Sequence, residues 1–147
     1  MFISGASRGI GLAIAKRVAA DGANIALVAK TAEPHPKLPG TIYTAAKEIE
    51  EVGGQALPIV GDVRDAVKVK RALAGVDIVY HFAARVGVGQ SMYELDEYTS
   101  VNSGGTAVLL EQVIQKKIQR LIVASSMSIY GEGLYRTADG RIETPVD

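Results

Sequence analysis

The chain has 147 residues, 48% of them hydrophobic and 22% charged, with a formal net charge of zero. That size and mix describe one soluble globular domain, able to bury about 70% of its unfolded surface. They give no electrostatic reason to expect nucleic acid or a membrane surface as a partner. There is no cysteine, which excludes disulfides, thiolate metal sites and cysteine nucleophiles and is compatible with the cytosol.

The first strand is short, residues 2–4 (FIS). Fuller apolar runs follow at 24–29 (NIALVA), 56–60 (ALPIV), 76–82 (VDIVYHF) and 120–124 (RLIVA). Each is almost continuously hydrophobic, as strands covered on both faces must be. Helical patterns lie between them at 9–21, 43–52, 65–74 and 93–117, the last broken near its start. Strand-helix alternation of this kind predicts a parallel sheet with right-handed crossovers. Residues 31–40 (TAEPHPKLPG) hold three prolines and must be loop, with His35 in it. Residues 131–147 are polar and read as an irregular tail to a single domain spanning 1–147. No apolar run approaches a transmembrane length, and the start lacks a signal-peptide pattern.

The chemistry-bearing segment is SGASRGIG, residues 4–11, between the first strand and the first helix. Its glycines have the spacing G-x-x-x-G-x-G. Gly5 permits the tight turn, Gly9 lets a pyrophosphate approach the backbone, and Gly11 allows close helix-strand packing. Unpaired amides at a helix start, including those near Ser7, Arg8 and Ile10, then face the phosphates. The alternative, a glycine-rich turn that binds nothing, stays open on spacing alone.

These residues resemble the short-chain dehydrogenase/reductase superfamily over essentially the whole chain. Residues 1 to about 65, with AKTAEPHPKLPGTIYTAAKEIEEVGGQALP, are similar to hydroxysteroid dehydrogenase-like members. From about 65 on, VDIVYHFAARVGVGQSMYE, SVNSGGTAVLLE and RLIVASSMSIYGEG resemble extended nucleotide-sugar epimerases and dehydratases. The two parts meet at GDVRD, which both branches share, and together imply a recombined or engineered chain. The resemblance implies a Rossmann-type doubly wound α/β sheet of five strands in order 3-2-1-4-5. The later strands and the substrate region of the family are missing from these residues.

The same resemblance assigns roles. The acid that takes the ribose 2′-OH in NAD-binding relatives is replaced by Lys30, with no carboxylate until Glu33. Together with Arg8 this favours a 2′-phosphate, hence NADP over NAD. Asp62 and Val63 match the pair that receives the adenine, and Ala83 and Ala84 match the small residues beside the cofactor ribose. Strand-end capping and close packing are their ordinary alternatives. His81 reads as a packed core histidine. Asn102 matches the family's helix asparagine and Ser126 its catalytic serine, with Ser125 the neighbour open to confusion.

A Tyr-x-x-x-Lys pair should follow Ser126, but no lysine occurs after Lys117. Tyr130 is followed four residues later by Leu134, and Tyr135 by Asp139. Tyr43 and Lys47 have the required spacing, which would place them on one helical face. They lie on the helix between strands two and three, on the adenine side, and are expected to be non-catalytic. Three readings follow: an NADP-binding module without turnover, a ligand-free scaffold, or a residual oxidoreductase or epimerase. A stripe of Val108, Leu109, Val113 and Ile114 on the 106–116 helix, and an exposed edge on the fifth strand, predict a homodimer.

Overall fold

A computed structural model describes residues 1–126, 129 and 133–143 of the chain. Five strands form one parallel sheet: β1 (Phe2–Ser4), β2 (Asn24–Ala29), β3 (Gln55–Val60), β4 (Ile78–His81) and β5 (Arg120–Val123). Their order is β3-β2-β1-β4-β5, the doubly wound arrangement expected from the sequence. In that order the direction of winding reverses beside β1, so the carboxyl ends of β1 and β4 border the crevice where such sheets hold ligands.

Helices α1 (Gly9–Ala20) and α2 (Ile42–Glu51) cover one face of the sheet. Their Ala15, Ala19, Ala45 and Ile49 pack on Ile3, Ile25 and Leu27. On the other face α3 (Ala66–Ala72) supplies Val69 and Ala72, packed on Phe2, Val28 and Val79. Successive strand residues point to opposite faces, so Phe2 and Ile3, or Leu27 and Val28, serve different cores. The helix starts are set locally. Thr41 and Thr44 exchange side chain-to-backbone bonds of 3.2 and 2.8 Å in a capping box, and the Asp65 carboxylate accepts from Val67 and Lys68.

The expected 93–117 helix is subdivided. It comprises α5 (Leu95–Tyr98), a π-helical turn Thr99–Gly104 and α6 (Gly105–Val113), and a short α4 (Val88–Ser91) precedes it. Two further differences correct the sequence reading. Part of the polar tail forms an antiparallel pair, β6 (Tyr135–Arg136) with β7 (Ile142–Glu143). The apolar stripe of α6 is also mostly consumed internally: Leu109 is 1% exposed and Val108 and Val113 pack against the same core, leaving Leu110 and Ile114 outward. Tyr130 lies outside the described residues.

Among the described residues no helix is long and apolar enough to cross a membrane, and no cluster of carboxylates and imidazoles could hold a metal ion.

Candidate functional site

The carboxyl ends of the strands open into three adjoining cavities. The first, of about 230 Å³, is lined by Gly5, Ser7, Lys30, Asp62, Val63, Ala83 and Ala84, with Thr31, Gly61, Arg85 and Val101. The second, about 270 Å³, is bounded by Gly5, Arg8, Ile10, Gly11, Phe82 and Ala124. The third, about 390 Å³, is lined by His81, Ala83, Ala84, Asn102, Thr106, Ser125 and Ser126. Gly5 is common to the first two, and Phe82 and Ala124 to the last two. Together they make one groove from β3 to β5, and every expected site residue except Gly9 lines it.

Gly9 sits at the entrance to α1 with φ +58° and nothing within 4 Å of where a Cβ would stand. Gly11 is the opposite case, because a Cβ there would lie 2.4 Å from the Gly5 carbonyl oxygen. One glycine borders open space and the other permits helix and strand to touch. The first turn of α1 has no side-chain cap and no acidic residue, so its amides and dipole face the groove uncompensated. Arg8 donates to the Gly40 carbonyl at 3.1 Å, while its Nη1 is buried without a partner among the described residues.

At the β3 end, Asp62 is held by Arg64 and by Lys30, whose ammonium lies 3.3 Å away. Hydrogen bonds from Arg64 are the main cause that keeps its carboxyl well below the usual carboxylate range. Lys30 and Asp62, both lining the first cavity, are thus paired there.

His81 belongs to a closed relay. Ser4 Oγ accepts from the backbone amides of Phe82 and Ala83, both at 3.1 Å, so its proton goes to His81 Nδ1 at 2.8 Å. Nε2–H then donates to Thr106 Oγ1 at 3.0 Å, and Thr106 donates to the Asn102 carbonyl. This pattern needs a neutral imidazole, and burial lowers the pKa in the same direction. His81 is therefore the core histidine expected.

Asn102 uses its side chain on the backbone of Arg85, accepting from the N–H at 2.8 Å and donating to the carbonyl at 3.1 Å. It fixes the loop after β4. Ser126 is exposed and lines the third cavity. Tyr43 and Lys47 lie outside the groove on the exposed side of α2, and the Lys47 ammonium is directed to Glu51. Thr31, Gly61, Arg64, Arg85 and Val101 were not singled out from the sequence. Arg64 and Arg85 directly follow the Asp62-Val63 and Ala83-Ala84 pairs, and that adjacency is the one signal that could have revealed them.

Comparison with known proteins agrees with this geometry. The NAD dependent epimerase/dehydratase family model matches residues 1–145. Hydroxysteroid dehydrogenase-like protein 2 of Xenopus laevis is 50% identical over 117 residues, covering 72% of this chain and 28% of the relative. The Homo sapiens protein of that name gives the same figures. The chain thus spans little more than a quarter of these relatives' length. The matched share of the chain also exceeds residues 1 to about 65, so the likenesses to the two branches overlap.

Among solved structures, a short chain dehydrogenase from Mycobacterium thermoresistibile superposes with a TM-score of 0.76 at 53% identity, over 85% of this chain and 50% of that one. UDP-glucose 4-epimerase from Bifidobacterium longum, solved with NAD+ and UDP, gives 0.75 at 26% identity over 88% and 38%. Sheet order, glycine loop and family match converge: this chain belongs to the NAD dependent epimerase/dehydratase family.

Proposed function

We propose that these residues form a dinucleotide-holding module that takes NADP in preference to NAD and does not itself turn the cofactor over. The observation that carries this reading is the continuous groove, which gathers residues from position 5 to position 126 along one edge of the sheet. Asp62 and Val63 would receive the adenine, and Lys30 and Arg8 the 2′-phosphate. The open backbone at Gly9 and the first turn of α1, with Ser7 and Ile10 beside them, would take the pyrophosphate. Ala83 and Ala84 leave room for the ribose, and Ser126 stands where a substrate oxygen would be polarised. When bound, the nicotinamide supplies hydride transfer.

NADP is favoured because Lys30 stands where a carboxylate would otherwise read the 2′-OH, although the Bifidobacterium longum relative was solved with NAD+. The reading of a holding module is confined to these 147 residues, in which no lysine stands four positions after a tyrosine beyond Ser126. The change of likeness at GDVRD, from one branch of the family to the other, is the ground for a recombined or engineered origin. Exposed Leu110 on α6 and Ile114 directly after it, and the terminal position of β5 in the sheet, support association of two copies. Calorimetric titration with NADP and NAD tests the central reading. Micromolar binding of NADP, tighter than NAD, is expected; heat from neither cofactor would overturn it.

A further inference from the structure

Arg64 lines none of the three cavities, yet its side chain reaches two walls of the first. Its backbone N–H and Nε donate to Asp62 Oδ1 at 2.9 and 3.0 Å, and Nη2 donates to Oδ2 at 2.7 Å. Its Nη1 turns the other way, donating to Glu97 at 3.1 Å and to Ser100 Oγ at 3.0 Å. Glu97 lies in α5 and Ser100 in the π-helical turn. Two residues beyond Ser100, Asn102 holds the backbone of Arg85 on the opposite wall. The first residue of α6, directly after that turn, is pressed against Val63, since a Cβ on Gly105 would lie 2.7 Å from Val63 Cγ2. A π-helical turn is a rare geometry that concentrates at functional sites, and here Arg64 and Arg85 anchor it from both sides.

A carboxylate has about four lone-pair positions. Arg64 occupies three of those on Asp62, and the fourth faces Lys30, whose side chain is 58% exposed. A planar fork fixes the carboxylate plane, whereas a long exposed ammonium exchanges readily. An incoming amino group would therefore find one position available, in one direction, on displacing Lys30. The displaced ammonium is then free to meet a phosphate.

We infer that Arg64 is a positioning residue that aims Asp62 at the exocyclic amino group of the adenine and braces the π-helical turn forming the facing wall. This rests on the dinucleotide reading above and adds to it the source of base selectivity.

The test compares NADP with its hypoxanthine counterpart, in which a carbonyl replaces the amino donor, by calorimetry on the wild type and on Arg64→Met, Arg64→Lys and Glu97→Gln. Circular dichroism confirms that each variant is folded. The wild type should prefer the adenine form by about tenfold or more, the scale of one charge-assisted hydrogen bond. Arg64→Met should reduce that preference to about twofold or less, and so should Arg64→Lys, because one ammonium cannot hold both oxygens in plane. Glu97→Gln leaves the fork on Asp62 intact and should keep the preference. Full preference in either Arg64 variant would overturn the positioning role, and the Lys variant decides if the Met variant does not fold. Equal wild-type binding of both forms would also overturn it while leaving the dinucleotide reading intact. Binding of neither would overturn both.

Discussion

Replacing Ser4 by alanine removes a single oxygen and should cost far more than its size suggests. Ser4 is 0% exposed and His81 4% exposed, so water cannot readily take the place of the lost hydroxyl. Three bonds depend on it: two accepted from the amides of Phe82 and Ala83, and one donated to His81 Nδ1. Each buried group left unpaired costs about 1–3 kcal/mol, and allowing for partial relaxation the loss should be about 3 kcal/mol. That is a large fraction of the roughly 5–15 kcal/mol expected for a domain. Urea denaturation at pH 7.5, comparing midpoints at unchanged slope, measures it.

The wild type should carry a pH signature of the same relay. Because the folded His81 has a lowered pKa, the unfolded chain binds a proton that the folded chain resists. The stabilisation is complete above the unfolded value of about 6.5 and is lost as pH falls below it, by at most about 1.4 kcal/mol per pH unit. The part of that slope due to His81 should vanish in His81→Phe. A Ser4→Ala loss below about 1 kcal/mol, or a slope unchanged in His81→Phe, would refute the relay.

Tyr43→Phe and Lys47→Ala should leave dinucleotide affinity unchanged, and a shift beyond about 1 kcal/mol by calorimetry would place that helix against the ligand. Lys30→Asp should weaken NADP about tenfold, a value moderated by the exposure of Lys30, and should spare or improve NAD. Equal weakening of both cofactors would assign Lys30 to the fold. Gly11→Ala should destabilise by about 3 kcal/mol or prevent folding, since its Cβ meets backbone, whereas Gly9→Ala should cost only about 1–2 kcal/mol of left-handed strain. In cofactor titrations the Gly9 variant should nevertheless lose most binding. Sedimentation equilibrium should show dimers that weaken on Ile114→Glu, and a monomer at every concentration up to about 100 µM would exclude an interface as weak as about −6 kcal/mol.

Continuous apolar runs alternating with amphipathic segments determined a parallel sheet, because strands buried on both faces need right-handed crossovers, while the strand order was what the family resemblance implied. The glycine spacing of residues 5–11 located the tight turn between β1 and α1 for the same kind of local reason: backbone clearance at Gly5, Gly9 and Gly11 is written directly in residue type. What the sequence could not contain was the pairing of distant side chains. Ser4 with His81, Arg64 with Glu97 and Ser100, and Asn102 with the Arg85 backbone come together only once β1 to β4 are assembled in one sheet. The fate of the α6 stripe was likewise tertiary. Val108, Leu109 and Val113 satisfy a helical period whether their partner is another molecule or the chain's own sheet, and only packing against the β4 face assigned them to the sheet. A period records that a face is buried; the fold decides against what.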